Sequence, residues 1–377
     1  MKKPAAALTM LALVASGCAA PYQPPQITLP TPPGVSIEPA PILSGKCNFS
    51  SLQEERDRWN LRQDLRSDPR LREKLKRDLR QDLRQELKEG LKVGISQSTP
   101  RMSFRNPYTG EFEGFEIDMV MEIAKAIFGP KNARDRIVFF VVPFAEGIKR
   151  LNEDAVDVLA ESMTITCARK EGTKDEKGVA FSVGYLDTGQ TMLVRTEPVR
   201  TEPQYKSIND LQGRQVCSGE GTVSIERVRE LPGNMVPVTA PVTSDCLLML
   251  RQRQVEAISS DESILLGLKD MDNNTELLNN PLPTNIRKCD RNKKSECTWF
   301  ASGSYGFAFR NVDGKWNRYG KWNRYEKLLI FTDIVLEDIK RKRKRKRNGR
   351  WQEIHDKWLW EHSDKGPPSD PRPEEHE

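Results

Sequence analysis

The chain has 377 residues, too many for one ordinary hydrophobic core and enough for two lobes of common size with additional ends. Hydrophobic residues make up 37% and charged residues 30%. Beyond the N-terminus no apolar run reaches the roughly 18 residues that a membrane span needs, which excludes a polytopic membrane protein. The formal net charge is +6, but the run from Lys340 to Arg347 alone supplies +8, so the charge balance does not indicate nucleic-acid binding.

The N-terminus has the pattern of an export signal. Lys2 and Lys3 form a positive segment, and Ala5 to Ala15 form an apolar segment of signal-peptide length. Small residues then precede Cys18, as in a bacterial lipoprotein box, where the cysteine is lipidated and becomes the mature N-terminus. We therefore predict a signal peptide at 1–18 and a protein anchored to the outer face of the cell membrane through Cys18. A plain secretory signal cut just after this cysteine is the alternative.

Two segments separate this signal from the folded part. Residues 19–45 contain eight prolines, which predicts an extended spacer. Residues 46–90 are rich in charged residues, with leucines at every fourth position from Leu71 to Leu87, and predict a charged helical arm. Asp68 followed by Pro69 predicts an N-cap and the start of a second helix. The leucine stripe either faces a partner in a coiled coil or leans on the next domain, and we favour the second interpretation.

From residue 91 the pattern alternates between apolar strands and amphipathic helices. The first set reads βαβαβ, a second set follows Thr196, and an apolar strand from Tyr305 returns the chain to the first lobe. This order predicts an α/β protein of two lobes, each a mainly parallel sheet flanked by helices, with ligands bound at the carboxyl ends of the strands. The predicted ranges are 91–192 and 304–362 for lobe 1, 193–303 for lobe 2 and 363–377 for a disordered tail.

The cysteines indicate disulfides. If Cys18 is lipidated, an even number remains in an oxidising compartment, where disulfides are the default. From their positions we predict the pairs Cys217–Cys246 and Cys289–Cys297, which leaves Cys47 with Cys167. A zinc site is the alternative, but there is no C-x-x-C and the histidines are not interleaved with the thiols. We predict no metal and no other cofactor.

Several motifs of the α/β region resemble one known family. They are Gly114 to Met119 (GFEIDM), Met163 to Thr166 with Arg169, Phe181-Ser182 before Tyr185, Asp187 to Gln190, and Tyr305-Gly306. In this order they resemble the polar amino-acid-binding proteins of ABC importers, solute-binding family 3, and in particular glutamate- or glutamine-binding lipoproteins of Gram-positive, actinobacterial type. The resemblance covers about 91 to 362. It implies a periplasmic-binding-protein-like (type II) fold with a two-strand hinge, no enzymatic activity, an amino-acid ligand between the lobes and ABC permease subunits as partners.

An amino-acid site needs a guanidinium for the α-carboxylate, an acid for the ammonium and several neutral donors. Arg169 follows a strand end and a Thr-x-Thr, and the resemblance gives it the carboxylate-binding role, together with Ser162, Thr164 and Thr166. A surface ion pair is the alternative for such an arginine. Asp261 lies between a strand and a helix and is predicted to receive the ammonium, although this position also suits a simple N-cap.

Five further candidates lie in loops. Gly221 and Thr222 belong to a glycine-containing turn that resembles the family's second carboxylate clamp by position; a phosphate loop is the alternative, but the Gly-Lys-Ser/Thr ending is absent. Phe144 resembles the aromatic residue that packs on the ligand, and core packing is its alternative. The loop after the first strand departs from the family and contributes Gln97 and Arg105. Because Arg101 and Arg105 could meet a side-chain carboxylate, the sequence favours glutamate or aspartate over glutamine.

Two other functions remain open at this point. One is an amino-acid sensor that signals to a membrane partner through the arm, and the other is an extracytoplasmic dehydratase, which the position of all three histidines at the far C-terminus disfavours. The basic run could contact anionic lipid headgroups or be a solvated helix end. We expect two crossings between the lobes, near Thr191 to Thr196 and near Gly303 to Phe307, to form a hinge.

Overall fold

The computed structural model describes residues 49–196, 205–231, 233–278, 303–311, 322–341, 349–361 and 368. The helices of this part are, in chain order, α1 (Phe49–Ser67), α2 (Pro69–Glu86), α3 (Phe115–Phe128), α4 (Gly147–Asn152), α5 (Cys167–Glu171), α6 (Val223–Glu230), α7 (Thr243–Arg251), α8 (Glu262–Met271), α9 (Arg324–Lys340) and α10 (Arg350–Trp358). The strands are β1 (Leu91–Ile95), β2 (Ser98–Thr99), β3 (Ser103–Arg105), β4 (Phe112–Glu113), β5 (Ile137–Val141), β6 (Val158–Ala160), β7 (Val179–Phe181), β8 (Leu186–Thr188), β9 (Gln190–Arg195), β10 (Gln215–Gly219), β11 (Val236–Ala240), β12 (Ala257–Asp261), β13 (Thr275–Leu277), β14 (Gly303–Tyr305) and β15 (Ala308–Arg310).

Two five-stranded sheets form the centres of the two lobes. The first has the order β5-β1-β6-β15-β7 and the second β11-β10-β12-β9-β13. In each sheet four strands run in one direction, and only β15 or β9 runs against its two neighbours. The inner strands of both sheets are largely buried, as mainly parallel sheets require, whereas the edge strand β5 is partly exposed. The predicted two-lobe α/β fold is confirmed.

The antiparallel strands β9 and β15 follow directly from the connection between the lobes. This connection consists of β8 and β14, which pair antiparallel with each other. Strand β8 leads into β9 of the second sheet, and β14 leads into β15 of the first sheet. This two-strand ladder is the hinge. The sequence predicts the first crossing near Thr191 to Thr196, but Thr191 to Val194 already pair with β12, and Arg195 pairs with β13, in the second sheet. The expectation was wrong because the apolar pattern of a strand does not tell a hinge from a sheet.

The arm forms the two predicted helices and packs on lobe 1. Asp68 accepts hydrogen bonds from the backbone N–H groups of Arg70 and Leu71 at 2.9 and 3.1 Å, with Pro69 in the first turn, which confirms the predicted N-cap. Leu79, Leu83 and Leu87 are buried in the lobe 1 core, whereas Leu71 is 42% exposed. The stripe therefore leans on the next domain, as favoured from the sequence, and these leucines are not available to a separate coiled-coil partner.

Charged side chains reinforce this contact between the arm and α9. Arg72 donates to the carbonyl of Ile334 at 3.0 Å, and Arg66 pairs with Glu337 at 3.0 Å. From the other side, Lys327 of α9 pairs with carboxylates of α2 at 2.7 and 3.0 Å. Buried arginine hydrogen bonds and leucine packing act together here, so the arm is an integral part of lobe 1.

One predicted disulfide is confirmed. Cys217 of β10 and Cys246 of α7 are bonded, with their Cα atoms 5.6 Å apart, and the bond holds a helix on the second sheet. Cys167 is also disulfide-bonded. Its predicted partner Cys47 lies outside the described residues, as do Cys289 and Cys297.

Other sequence predictions also fall outside the described residues. They are the signal peptide with Cys18, the spacer at 19–45, the tail at 363–377 and most of the basic run. Within the part of the chain that the structure describes, no helix has both the length and the apolarity to cross a membrane.

Candidate functional site

A cleft opens where the carboxyl ends of strands from both sheets face each other. Lobe 1 contributes residues that follow β1, β5 and β6, and lobe 2 contributes the ends of β10, β11 and β12. The predicted residues that line this cleft are Phe144, Ser162, Thr164, Arg169, Thr222 and Asp261. Parallel strands have their carboxyl ends at the same edge of a sheet, and this is why residues so distant in sequence converge.

Arg169 lies at the centre of the cleft and contacts both lobes. Its Nη1 donates to the carbonyl of Thr164 at 2.7 Å, its Nη2 donates to the carbonyl of Gly221 at 3.2 Å, and its Cζ lies 5.1 Å from the ring centroid of Phe144. The residue is 3% exposed. Burial lowers the pKa of the guanidinium to about 10, against the opposing charges of Glu226 and Asp261. Arg169 therefore remains a cation at neutral pH, fixed in place by carbonyl and aromatic contacts.

Thr166 positions this arginine rather than lining the cleft. It is the N-cap of α5, and its hydroxyl accepts a hydrogen bond from the backbone N–H of Arg169 at 3.3 Å. The Thr-x-Thr motif thus fixes Arg169 twice, through the carbonyl of Thr164 and the cap of Thr166.

Asp261 supplies the opposite charge from lobe 2. It ends β12, directly before α8, and makes no N-cap hydrogen bond to that helix. Its Oδ2 accepts a hydrogen bond from the hydroxyl of Tyr305 at 2.6 Å, and the residue is 9% exposed. An arginine and an aspartate thus face one cleft from different lobes, which suits a zwitterionic ligand.

The glycine-containing turn of lobe 2 meets lobe 1 at the edge of the cleft. Gly221 has φ of +69°, a backbone conformation that glycine adopts freely. Thr222 caps α6 with its hydroxyl, which also donates to the carbonyl of Gly219 at 2.7 Å. The carbonyl of Gly221 in lobe 2 therefore accepts a hydrogen bond from Arg169 of lobe 1, while Thr222 lines the cleft.

Gln97 and Arg105 do not line the cleft. They lie in a separate surface groove at the small sheet of β2, β3 and β4, where Arg105 donates from Nε to the carbonyl of Gly110 at 3.1 Å. Arg101 is paired elsewhere, with Asp270 at 2.7 Å, and lies 4.2 Å above the ring of Trp360. The sequence argument for an acidic ligand rested on these two arginines, and their positions remove it.

Two buried carboxyl groups of lobe 1 were missed by the sequence reasoning. Glu161 directly follows β6, lines the cleft, and is 4% exposed. Neither of its carboxyl oxygens has a hydrogen-bond partner among the described residues. Its neighbour Glu116 is fully buried and accepts hydrogen bonds from the backbone N–H of Ser162 and the hydroxyl of Tyr185. An acidic residue placed between a buried strand and the Thr-x-Thr motif was the signal that could have drawn attention to Glu161.

Burial changes the protonation of both acids. It raises the pKa of Glu116 to about 7, and the hydrogen bonds from Tyr185 and Ser162 oppose this only in part. Burial, together with the charge of Glu116, raises the pKa of Glu161 well above its usual range. Over the described ranges no group of histidine, cysteine and acidic side chains has an arrangement that could hold a metal ion.

Comparisons with known proteins agree with this architecture. Residues 91–361 match the profile of the bacterial extracellular solute-binding proteins, family 3, which is more than half of the chain. The chain is 30% identical over 184 residues to the ABC transporter glutamine-binding protein GlnH of Bacillus subtilis, covering 48% of this chain and 62% of that protein. It is 28% identical over 171 residues to the glutamate-binding protein GluB of Corynebacterium glutamicum, covering 45% and 54%. The match thus spans less than two thirds of the length of these relatives.

Solved structures show the same fold. A mutant of ArgBP from T. maritima aligns over 75% of this chain and 99% of its own, with a TM-score of 0.54 and 23% identity. At this identity the likeness concerns the fold alone.

Proposed function

We propose that this chain, which belongs to the bacterial extracellular solute-binding proteins, family 3, captures a polar amino acid between its lobes for an ABC importer. The observation that carries the proposal is the placement of Arg169 and Asp261 on opposite lobes of one cleft. Arg169 would bind the α-carboxylate with its planar guanidinium, and Asp261 would accept the ammonium. Ser162, Thr164 and Thr222 would supply neutral groups around the same ligand, and Phe144 would cover it.

The proposal includes the place where the protein works. Export and lipidation at Cys18 would hold it at the outer face of the cell membrane, where it would deliver its ligand to ABC permease subunits. The relatives GlnH and GluB, whose names refer to glutamine and glutamate binding, support an importer over a sensor. The sensor alternative has the arm signal to a membrane partner, and in this arm Leu79 and Leu83 are buried in lobe 1.

Arg169 and Asp261 would contact the α-carboxylate and the ammonium that all amino acids share, so these two residues support an amino-acid ligand without specifying its side chain. The sequence favoured glutamate, with glutamine and aspartate as alternatives, because Arg101 and Arg105 could have met a carboxylate. Both arginines lie outside the cleft, where they have other contacts. We therefore retain a polar amino acid as the ligand.

Calorimetric titration tests the proposal. The exported protein with Cys18→Ser, which prevents lipidation, would be titrated with glutamine, glutamate, asparagine, aspartate and arginine. We expect saturable heat with at least one of them, and none with the same ligand added to Arg169→Ala. Absence of binding to the whole set by a folded protein contradicts the proposal.

A further inference from the structure

We propose that Glu161 reads the ligand's side chain and selects amino acids whose side chains donate N–H hydrogen bonds over acidic amino acids. Glutamine, with its carboxamide, and arginine, with its guanidinium, belong to the selected class. The inference rests on the proposed function, because it concerns a subsite of the same cleft.

The position of Glu161 supports a direct contact with ligand. It lines the cleft, in the same wall as Ser162 and Thr164, and only 4% of its surface is exposed. Its carboxyl lies close to Gly147, where an added Cβ would be 2.7 Å from Oε2.

The missing hydrogen bonds of Glu161 are the main argument. Buried polar groups are nearly always paired, and a buried carboxyl without partners is costly. Both oxygens of Glu161 lack a hydrogen-bond partner within the described residues. A ligand N–H group placed in the cleft would satisfy them, whereas a ligand carboxylate has no N–H to offer.

The surrounding charges point to the same selection. Burial and the negative charge of Glu116 both raise the pKa of Glu161. In the same cleft, Arg169 is assigned to the ligand's α-carboxylate and Asp261 to its ammonium. An acidic side chain would bring a third carboxyl to this buried pair, and placing its negative charge in so desolvated a region is costly.

The one competing arrangement is a protonated Glu161 that donates to the carboxylate of a bound glutamate. The two arrangements differ in what happens to the proton that the raised pKa keeps on Glu161. A donor ligand stabilises the charged carboxylate and releases this proton on binding, whereas Glu161 keeps its proton when it donates to a bound glutamate. Titrations in two buffers of different ionisation enthalpy measure this difference.

The variant Glu161→Gln keeps the shape of the side chain and removes its charge. We would measure the dissociation constants for glutamine, arginine and glutamate at pH 7.5 with wild type, Glu161→Gln and Glu161→Ala. Wild type is expected to bind a donor ligand at least about tenfold more tightly than glutamate, and Glu161→Gln to reduce that ratio by about tenfold. Proton release on donor binding should disappear in Glu161→Gln. The exposed Glu153, also in lobe 1, provides the control variant Glu153→Gln, which should behave as wild type.

The outcomes separate the two proposals. If wild type binds none of the amino acids, the proposed function fails. If it binds them but Glu161→Gln leaves the ratio of affinities unchanged, only the role of Glu161 is overturned. A preference of wild type for glutamate without proton release would also overturn it, in favour of the protonated arrangement.

Discussion

The hydroxyl of Tyr305, in the hinge strand β14, donates a 2.6 Å hydrogen bond to the carboxylate of Asp261 in lobe 2. Tyr305 is fully buried, and burial together with Asp261 raises the pKa of its hydroxyl well above the usual range, so it remains a neutral donor. The hinge thus orients the acid that faces the cleft. This bond links the connection between the lobes to the candidate ligand site.

Removing the hydroxyl should weaken ligand binding. Tyr305→Phe removes one of the interactions that orient the carboxylate of Asp261. Hydrogen bonds to charged groups contribute about 1.5–3 kcal/mol of free energy. We expect an affinity loss of about tenfold or more by calorimetry. Tyr325→Phe is the matched control, since that hydroxyl bonds Asp154 in lobe 1 and its loss should leave affinity unchanged. Equal affinity of Tyr305→Phe and wild type would show that the bond does not position Asp261.

Arg169 should tolerate neither truncation nor replacement by lysine. Removing one partner of a desolvated charge pair costs about 2–5 kcal/mol, so Arg169→Ala should lose 30-fold or more in affinity, as an order of magnitude. Arg169→Lys should also fail because a single ammonium cannot replace the planar fork that reaches Thr164 and Gly221. Circular dichroism would establish that the variants are folded. Near-wild-type binding by either would reduce Arg169 to a structural residue.

Glu116 predicts a loss of stability as pH rises. Its pKa is about 7 in the folded protein and close to the ordinary 4.5 in the unfolded chain, so the folded state favours the protonated form. The stabilisation is complete below about pH 4.5, declines as pH rises through 7, and amounts to about 3 kcal/mol. Urea unfolding at pH 5 and pH 8 should show the difference, and Glu116→Gln should reduce it. Greater stability of wild type at pH 8 than at pH 5 would contradict this assignment.

The leucine stripe of α2 offers a test of the arm with a built-in control. Leu83 is fully buried against lobe 1, whereas Leu71 of the same helix is 42% exposed. Leu83→Ala should lower the free energy of unfolding by about 2–5 kcal/mol, and Leu71→Ala by less than about 0.5 kcal/mol. Denaturant unfolding of the two variants measures both. Equal effects would mean that the arm does not pack on lobe 1 in solution.

The sequence by itself determined what depends on neighbouring residues. Asp68 with Pro69 predicted the start of α2, because capping acts within a few residues. The alternation of strands and helices predicted two α/β lobes. It also placed Arg169 and Asp261 at strand ends, where such folds bind ligands.

The tertiary structure decided what depends on residues far apart in the chain. Arg101 is held by Asp270, and the leucines of α2 meet α9, across separations that no local pattern reports. The same holds for Glu161: its sequence neighbours show an acid after a strand, but its lack of partners is a property of the surrounding packing. Pairing and burial are set by three-dimensional proximity, so local patterns could indicate candidates at strand ends, such as Arg169 and Asp261, but not the buried, unpartnered carboxyl of Glu161.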